Sequence, residues 1–506
     1  LETGDGGYLV TWTSQRQDVP SEANGEGVFG QFYNAQGARV GAEFQINDIS
    51  QNDQYASRAT LLSDGRIVVV WHNNGDRDGD SWGAYARILS ADGVPQGAAI
   101  QLNQETQGAQ SWPDVVALDN GRFMAVWMSD TAGSAGDGSG YGIFGRTFDA
   151  AGAAEGAEFQ INSVTNTNQM YPGAARLADG DVMVVWEDRN GDASSYAIAA
   201  QRVDSTGALV SFDGTTAGAE QVRINDSEAG TQSDPAIIAL APSATLPSGG
   251  FVVGWTGPDS SGDGAYARIY GLDGAAQTGD LLLNVNSSNQ NQVALAADPD
   301  GGFFAAWTDH SGADGYGEAV VSQKVLADGT FDGPNLILNT QSTYDQDDPH
   351  IAVLSSGALT AVWTSDTYSE TVGDGSGHGV MNRLFDRAAL TAGEAAPGLY
   401  ELGGPEVATL RDLGLDPAEL KDGKIAHSPG CDDCFQSGHQ GRTAIYELLP
   451  MSEDLRSLVM RQAPASELKA QAVKEGMRTL RMDGMSKVVA GQTSAEEIMR
   501  VTQLDV

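Results

Sequence analysis

Cysteine is nearly absent: the 506 residues hold two, Cys431 and Cys434, too few for a disulfide framework. No apolar run reaches the eighteen or so residues of a membrane-crossing helix, so no membrane span is encoded. No signal peptide is evident, and the chain begins at Leu1 rather than Met, which leaves targeting open. Basic residues are scarce. Of 28 Lys+Arg and 68 Asp+Glu, 12 and 17 lie from Leu399 onward, leaving 16 and 51 in the first 398 residues. Lys324 is the one lysine of that first part. A surface so acidic repels nucleic acid and anionic membrane. It attracts cations or keeps an exported protein soluble. Phosphate-cradling GxxxxGK[ST], nucleophile GxSxG and zinc HExxH motifs are all missing. GxGxGxG at 136–142 sits between strands with no helix after it, so it is no nucleotide site.

What is present is repetition. GGYLVTW ends at Trp12, GRIVVVW at Trp71, GRFMAVW at Trp127 and GDVMVVW at Trp186. GGFVVGW, GGFFAAW and GALTAVW follow at Trp255, Trp307 and Trp363. Periods of this size signal stacked or circular units. In each repeat a segment such as PDVVAL (113–118) leads through a Gly turn into the Trp strand. An acidic Gly-rich loop follows, then a strand like YGIFGRTFD (141–149) and a segment such as EFQIN (158–162). Four short strands rich in β-branched and aromatic residues make one propeller blade. The unit is well short of the ~100 residues of an immunoglobulin-like sandwich. The expected fold is mainly β: a seven-bladed β-propeller-like array over 1–386, then a small, mainly α domain. The first and last strands of the unit occur only six times, so blade 1 is expected to be incomplete. Either the ring is imperfect or the sequence was cut at both ends.

The VVW, GYGIFGR-FDAAG and EFQIN segments resemble the Trp-containing repeats of bacterial exoproteins found beside repeats-in-toxin calcium modules. That resemblance implies an extracellular or cell-surface adhesive or scaffolding part, with a protein or glycan ligand on its surface. The loops after the Trp strands carry Asp alternating with Gly. Calcium wants six to eight oxygen ligands on a flexible backbone, so Asp76, Asp78 and Asp80 are first candidates, then Asp137 and Asp374. Asp and Gly are equally good turn residues on a solvated rim. No loop ends in the Glu of an EF-hand. DGDSW (78–82) brushes against the Asp-box of sialidase-like propellers without an arginine cluster, and a glycan-cleaving enzyme is the least favoured reading.

Beyond a junction at 387–404 the period shifts toward 3.6. PEVATLRDLGL, SEDLRSLVMRQ, ASELKAQAVKEGM and LRMDGMSKVVAG read as amphipathic helices. Thr493-x-x-Glu496 forms a capping box for the last helix. GCDDCFQSGHQGRTAIYELL and the GMRTLRMDGMSKVVAGQTSAEEIMRVT tail resemble the C-terminal end of type II secretion and type IV pilus assembly ATPases, over about 405–506. The resemblance implies a cytoplasmic place and contact with secretion machinery. It also implies that Cys431 and Cys434 are the second half of a four-Cys zinc site whose first pair is absent. Two thiolates make half a tetrahedral site; His427 and His439 are the nearby candidates to complete it. The other reading is a vestigial knuckle with two free thiols. The nucleotide loop lies upstream in that family, so no nucleotide is expected; Arg442 is the one candidate to face a neighbouring subunit, with a plain salt bridge as its favoured reading. The two halves disagree in location, which fits either a natural fusion or joined fragments.

Overall fold

The computed structural model describes residues 1–15, 25–48, 52–75, 81–130, 140–165, 167–189, 191, 196–215, 220–285, 287–340, 344–366, 378–385, 452–461, 465–475, 477, 479 and 480. The chain divides into two compact units, Leu1–Ala396 and Pro397–Val506.

The continuous apolar runs before each tryptophan are buried on both faces, and their parity says against what. In IVVVW, Ile67, Val69 and Trp71 pack backward with Leu9, Val28 and Ile46, while Val68 and Val70 pack forward with Phe123 and Trp127. Phe123, Ala125 and Trp127 face back in turn, and Met124, Val126 and Met128 face forward to Trp186. The alternation continues through Trp255, Trp307 and Trp363. A strand with period two can join both neighbours only if it stands between two sheets. Each Trp therefore fills the gap between its own blade and the preceding one.

Seven antiparallel sheets result. Blade 1 has three strands, Tyr8–Gln15, Glu26–Tyr33 and Arg39–Gln45. Blade 2 has four: Gln54–Leu61, Ile67–Asn74, Trp82–Leu89 and Ile100–Gln101. Blades 3 to 6 repeat that order, with inner strands Gln110–Ala117, Gln169–Arg176, Ser233–Leu240 and Gln290–Ala297, and blade 4 adds a fifth strand, since both Leu209–Val210 and Val222–Arg223 pair with its third. Blade 7 has three strands, Gln346–Val353, Leu359–Asp366 and His378–Phe385. The architecture is the expected seven-bladed propeller. First strands of successive blades pack on one another and surround the axis. Hairpins into the Trp strands turn on residues such as Gly65 (φ 86°) and Gly180 (φ 97°), a left-handed conformation that glycine adopts without steric cost.

Buried amides stitch the blades together. Asn103 donates to Gln110 Oε1 at 3.0 Å, and its own Oδ1 accepts the Ala84 N–H at 3.0 Å. Asn47–Gln54, Asn162–Gln169 and Asn225–Gln232 repeat the pair. Each Asn thus ties the last strand of one blade to the first strand of the next.

Blade 1 departs from the pattern in one respect. Trp12 is only half-buried, whereas the other six are buried. Among the described residues blade 7 shows no fourth strand, and blade 1 none inside Tyr8–Gln15. A cavity of about 200 Å³ lies there, lined by Tyr8–Thr11, Ser57–Ala59 and His350–Ala352.

In the second unit, helices α1 (Glu453–Met460) and α2 (Ala465–Lys474) fall where the helical period predicts them. Ser452 caps α1, its hydroxyl accepting the Leu455 N–H at 3.0 Å. Leu455, Ala472 and Met477 form a small buried cluster. The other predicted helices and the Thr493 cap lie outside the described residues.

Candidate functional site at the channel mouth

Every predicted metal ligand (Asp76, Asp78, Asp80, Asp137, Asp374, His427, Cys431, Cys434 and His439), with Arg442, lies outside the described residues. Among the described residues no three metal-ligating side chains gather. The site that does assemble lies elsewhere, on residues the sequence reading passed over.

Each inner strand carries a β-bulge near its start, as between Ser111 and Asp114 or Met170 and Gly173. At the bulge one non-glycine residue is left-handed: Ala56, Trp112, Tyr171, Asp234, Gln292 and Asp348, all with φ between 50° and 57°. Side chains rarely accept this conformation, which costs about 1–3 kcal/mol each where the surroundings impose it. Bulges re-aim side chains, often at functional sites. Pro113, Pro172, Pro235 and Pro349 follow directly in four blades, where the interrupted ladder needs no N–H. Gln54 pairs with Asn73 across the sheet, so the bulges share an end with the acidic loops after the Trp strands. Six equivalent positions therefore ring the mouth of the axial channel.

Residues just after the tryptophans brace the bulges. His72 Nδ1 accepts the Trp112 N–H at 3.1 Å, and Glu187 Oε1 accepts the Asp234 N–H at 2.8 Å. The ring is neutral at His72, since Nδ1 is the acceptor; burial lowers its pKa to about 4.

The mouth is aromatic at one corner and acidic next to it. At the corner, Trp112 and Tyr171 are 41% and 36% exposed, with ring centroids 5.1 Å apart at 85°. His72 lies 5.7 Å from the Trp112 ring and 5.0 Å from the Trp82 ring. Seven of the nine tryptophans belong to the repeat series, and the remaining two meet here, flanking His72. Their position off the repeat is the signal that would have marked them.

Next to Tyr171 stand Glu187 and Asp234, and Asp348 acts on Asp234 in turn. Glu187 is 5% exposed, and burial, with the neighbouring Asp234 charge, pushes its carboxyl up to about 7. Asp234 is raised by desolvation and by Asp348. Gln292 joins the acidic group, donating to the Asp348 carboxylate and accepting the Asp348 N–H at 3.1 Å.

A larger cavity, about 440 Å³, is lined by Asp179, Asp213, Leu246, Pro247, Asp273 and Gln277. Beside it Arg202 is held by both Asp179 and Asp181, so its buried charge is already met inside the protein.

Comparison with known proteins bears on the second unit. Residues 406–500 match the family described as Type II/IV secretion system protein. The type IV pilus assembly ATPase PilB of Thermus thermophilus is 39% identical over 98 residues, 19% of this chain and 11% of that protein. Type II secretion system protein E of Xanthomonas campestris pv. campestris is 43% identical over 83 residues, 16% of this chain and 15% of that one. The chain thus spans only a small part of the length of these relatives. Solved structures similar to the propeller include polysaccharide lyase Uly1, at 10% identity and TM-score 0.45, covering 76% of this chain and 90% of that one. Penicillium chrysogenum α-L-arabinanase is similar at 12% identity and TM-score 0.39, covering 75% and 93%. Likenesses this distant carry no argument about activity.

Proposed function

We propose that this chain is a ligand-binding propeller of the adhesive or scaffolding kind, joined to a secretion-ATPase segment without its motor core. The propeller works by binding, not bond cleavage, and its ligand sits at the channel mouth. One observation carries the reading: strained, bulged backbone at six equivalent positions presents Trp112 and Tyr171 to solvent, whereas the tryptophans of the repeat series, Trp12 apart, are interior. Exposed aromatic rings anchored on rigid strands are the usual centres of binding energy. A protein or a glycan would approach the same mouth, and calcium in the acidic loops around it would stiffen the rim. The acidic composition fits an exported location for the array. The second unit's match supports contact with secretion machinery, and favours as second reading a secretion or pilus ATPase component represented by its C-terminal part.

Titrating the full chain with glycan and protein ligands, following tryptophan emission and product formation together, tests the first reading. A change in emission that Trp112→Ala abolishes, with no product, is expected. Cleaved product, or an undiminished response in that variant, would overturn it.

A further inference from the structure

We infer that the channel mouth takes an alkylammonium group, with Trp112 and Tyr171 as its walls and Glu187 and Asp234 as its counter-charges. The inference rests on the binding reading above and narrows it to one ligand chemistry.

The first argument is shape. The two rings stand at 85° with centroids 5.1 Å apart, both part-exposed. A sugar ring is flat and stacks on one face. A tetrahedral ammonium presents methyl or methylene groups in several directions and can touch two perpendicular walls at once, where the negative ring faces attract it.

Charge is the second argument. Three enclosed cations of the propeller are each matched by two carboxylates: Arg202 by Asp179 and Asp181, Lys324 by Asp298 and Asp332, Arg268 by Asp226 and Asp280. The carboxylates of the mouth are arranged differently. The charged group acting on Glu187 is Asp234, and the one acting on Asp234 is Asp348, so each carboxylate faces another. Glu187 and Asp234 both act on the Tyr171 hydroxyl, as do Tyr141 and Tyr196, which places the carboxylates beside the aromatic corner. His72 is neutral. Arg58 acts on Asp114 and Asp348. A nearly buried carboxylate without a cation is costly, and a bound ammonium would remove that cost. The excess of 51 acidic over 16 basic residues in the first 398 steers cations inward and turns anions away.

Such a group comes either as a small quaternary amine or as a lysine side chain of a partner protein. Calorimetric titration of the full chain with choline, with its uncharged carbon isostere 3,3-dimethylbutan-1-ol, with Nα-acetyl-lysine amide and with a neutral disaccharide separates the cases. At least one ammonium ligand should bind, and at least tenfold more tightly than the isostere. Choline without the lysine amide points to a small-molecule source, and the reverse to a protein. Glu187→Gln should weaken binding about tenfold, Trp112→Ala should abolish it, and Trp112→Phe, which keeps a wall, should stay within a few-fold. Because the carboxylate must be ionised, affinity should rise between pH 6 and pH 8 in the native chain and stay flat in Glu187→Gln. Equal binding of the isostere, or binding of the disaccharide alone, would overturn the cation while leaving the mouth as the ligand site. No response from any ligand, with Trp112 variants indistinguishable from native, would remove both readings.

Discussion

The Asn382 amide donates to the Tyr8 hydroxyl at 2.9 Å, a buried bond joining the last blade to the first across 374 positions of sequence. Asn382 also accepts from Thr360 at 3.0 Å, and enclosure raises the Tyr8 pKa to about 12. Blade 7 and blade 1 thus meet through polar side chains. Tyr8→Phe removes this bond while Tyr33 still meets Asn382, and should cost about 1 kcal/mol, read as a lower denaturant midpoint. An unchanged midpoint would mean that the ring is not held there.

The tryptophans should not be equal. Trp71→Ala or Trp127→Ala empties a wholly buried site between two blades and should cost about 3–5 kcal/mol. Trp12, only half-buried, should cost clearly less. Equal losses in chemical denaturation would contradict the packing described.

Glu187 predicts a pH dependence. Its pKa is about 7 when folded against 4.5 ordinarily, so between these values the folded state binds the extra proton. Stability from this group is therefore greatest near pH 4.5 and falls as pH rises toward 7, by on the order of 3 kcal/mol at most. His72 acts oppositely, being neutral in the fold and losing stability as pH falls below 6.5. The difference between native chain and Glu187→Gln, measured from pH 4.5 to 8, isolates the first effect. A flat difference would show that Glu187 is not desolvated.

Calcium in the acidic loops, at Asp76, Asp78 and Asp80 first and Asp137 or Asp374 next, would stabilise the folded state by mass action. Thermal unfolding should shift upward with calcium and return with chelator. Coincident midpoints would leave those loops as plain solvated turns.

The second unit should show no ATP turnover, with or without magnesium. Phosphoryl transfer needs a backbone nest, a lysine and a bound metal on the phosphates. The sequence has no candidate for that loop. Hydrolysis abolished by Arg442→Ala would contradict this.

Much of the fold is legible because its determinants are local and repeated. A five-residue apolar strand ending in Trp can be buried on both faces only between sheets, and seven copies imply seven blades. The helices α1 and α2 announce themselves by period, while the Ser452 cap emerged only in the structure. The mouth was not legible in that way. Its left-handed residues are Ala, Trp, Tyr, Asp, Gln and Asp, so no residue type marks the position. Only the spacing Gln-x-x-Pro in four repeats, at Gln110, Gln169, Gln232 and Gln346, hints at the bulge.

Sequence alone therefore determined the repeat, the strand order and the alternation of faces, since these follow from side-chain volume and period two along a few neighbouring residues. The tertiary structure decided what the repeats do together. Trp112, Tyr171, Glu187 and Asp234 come from three different blades and are separated by up to 122 positions. They share one mouth because circular closure brings equivalent positions to a common axis. It also left Trp12 half-covered, since burial there depends on a neighbour that meets it only when the ring is formed.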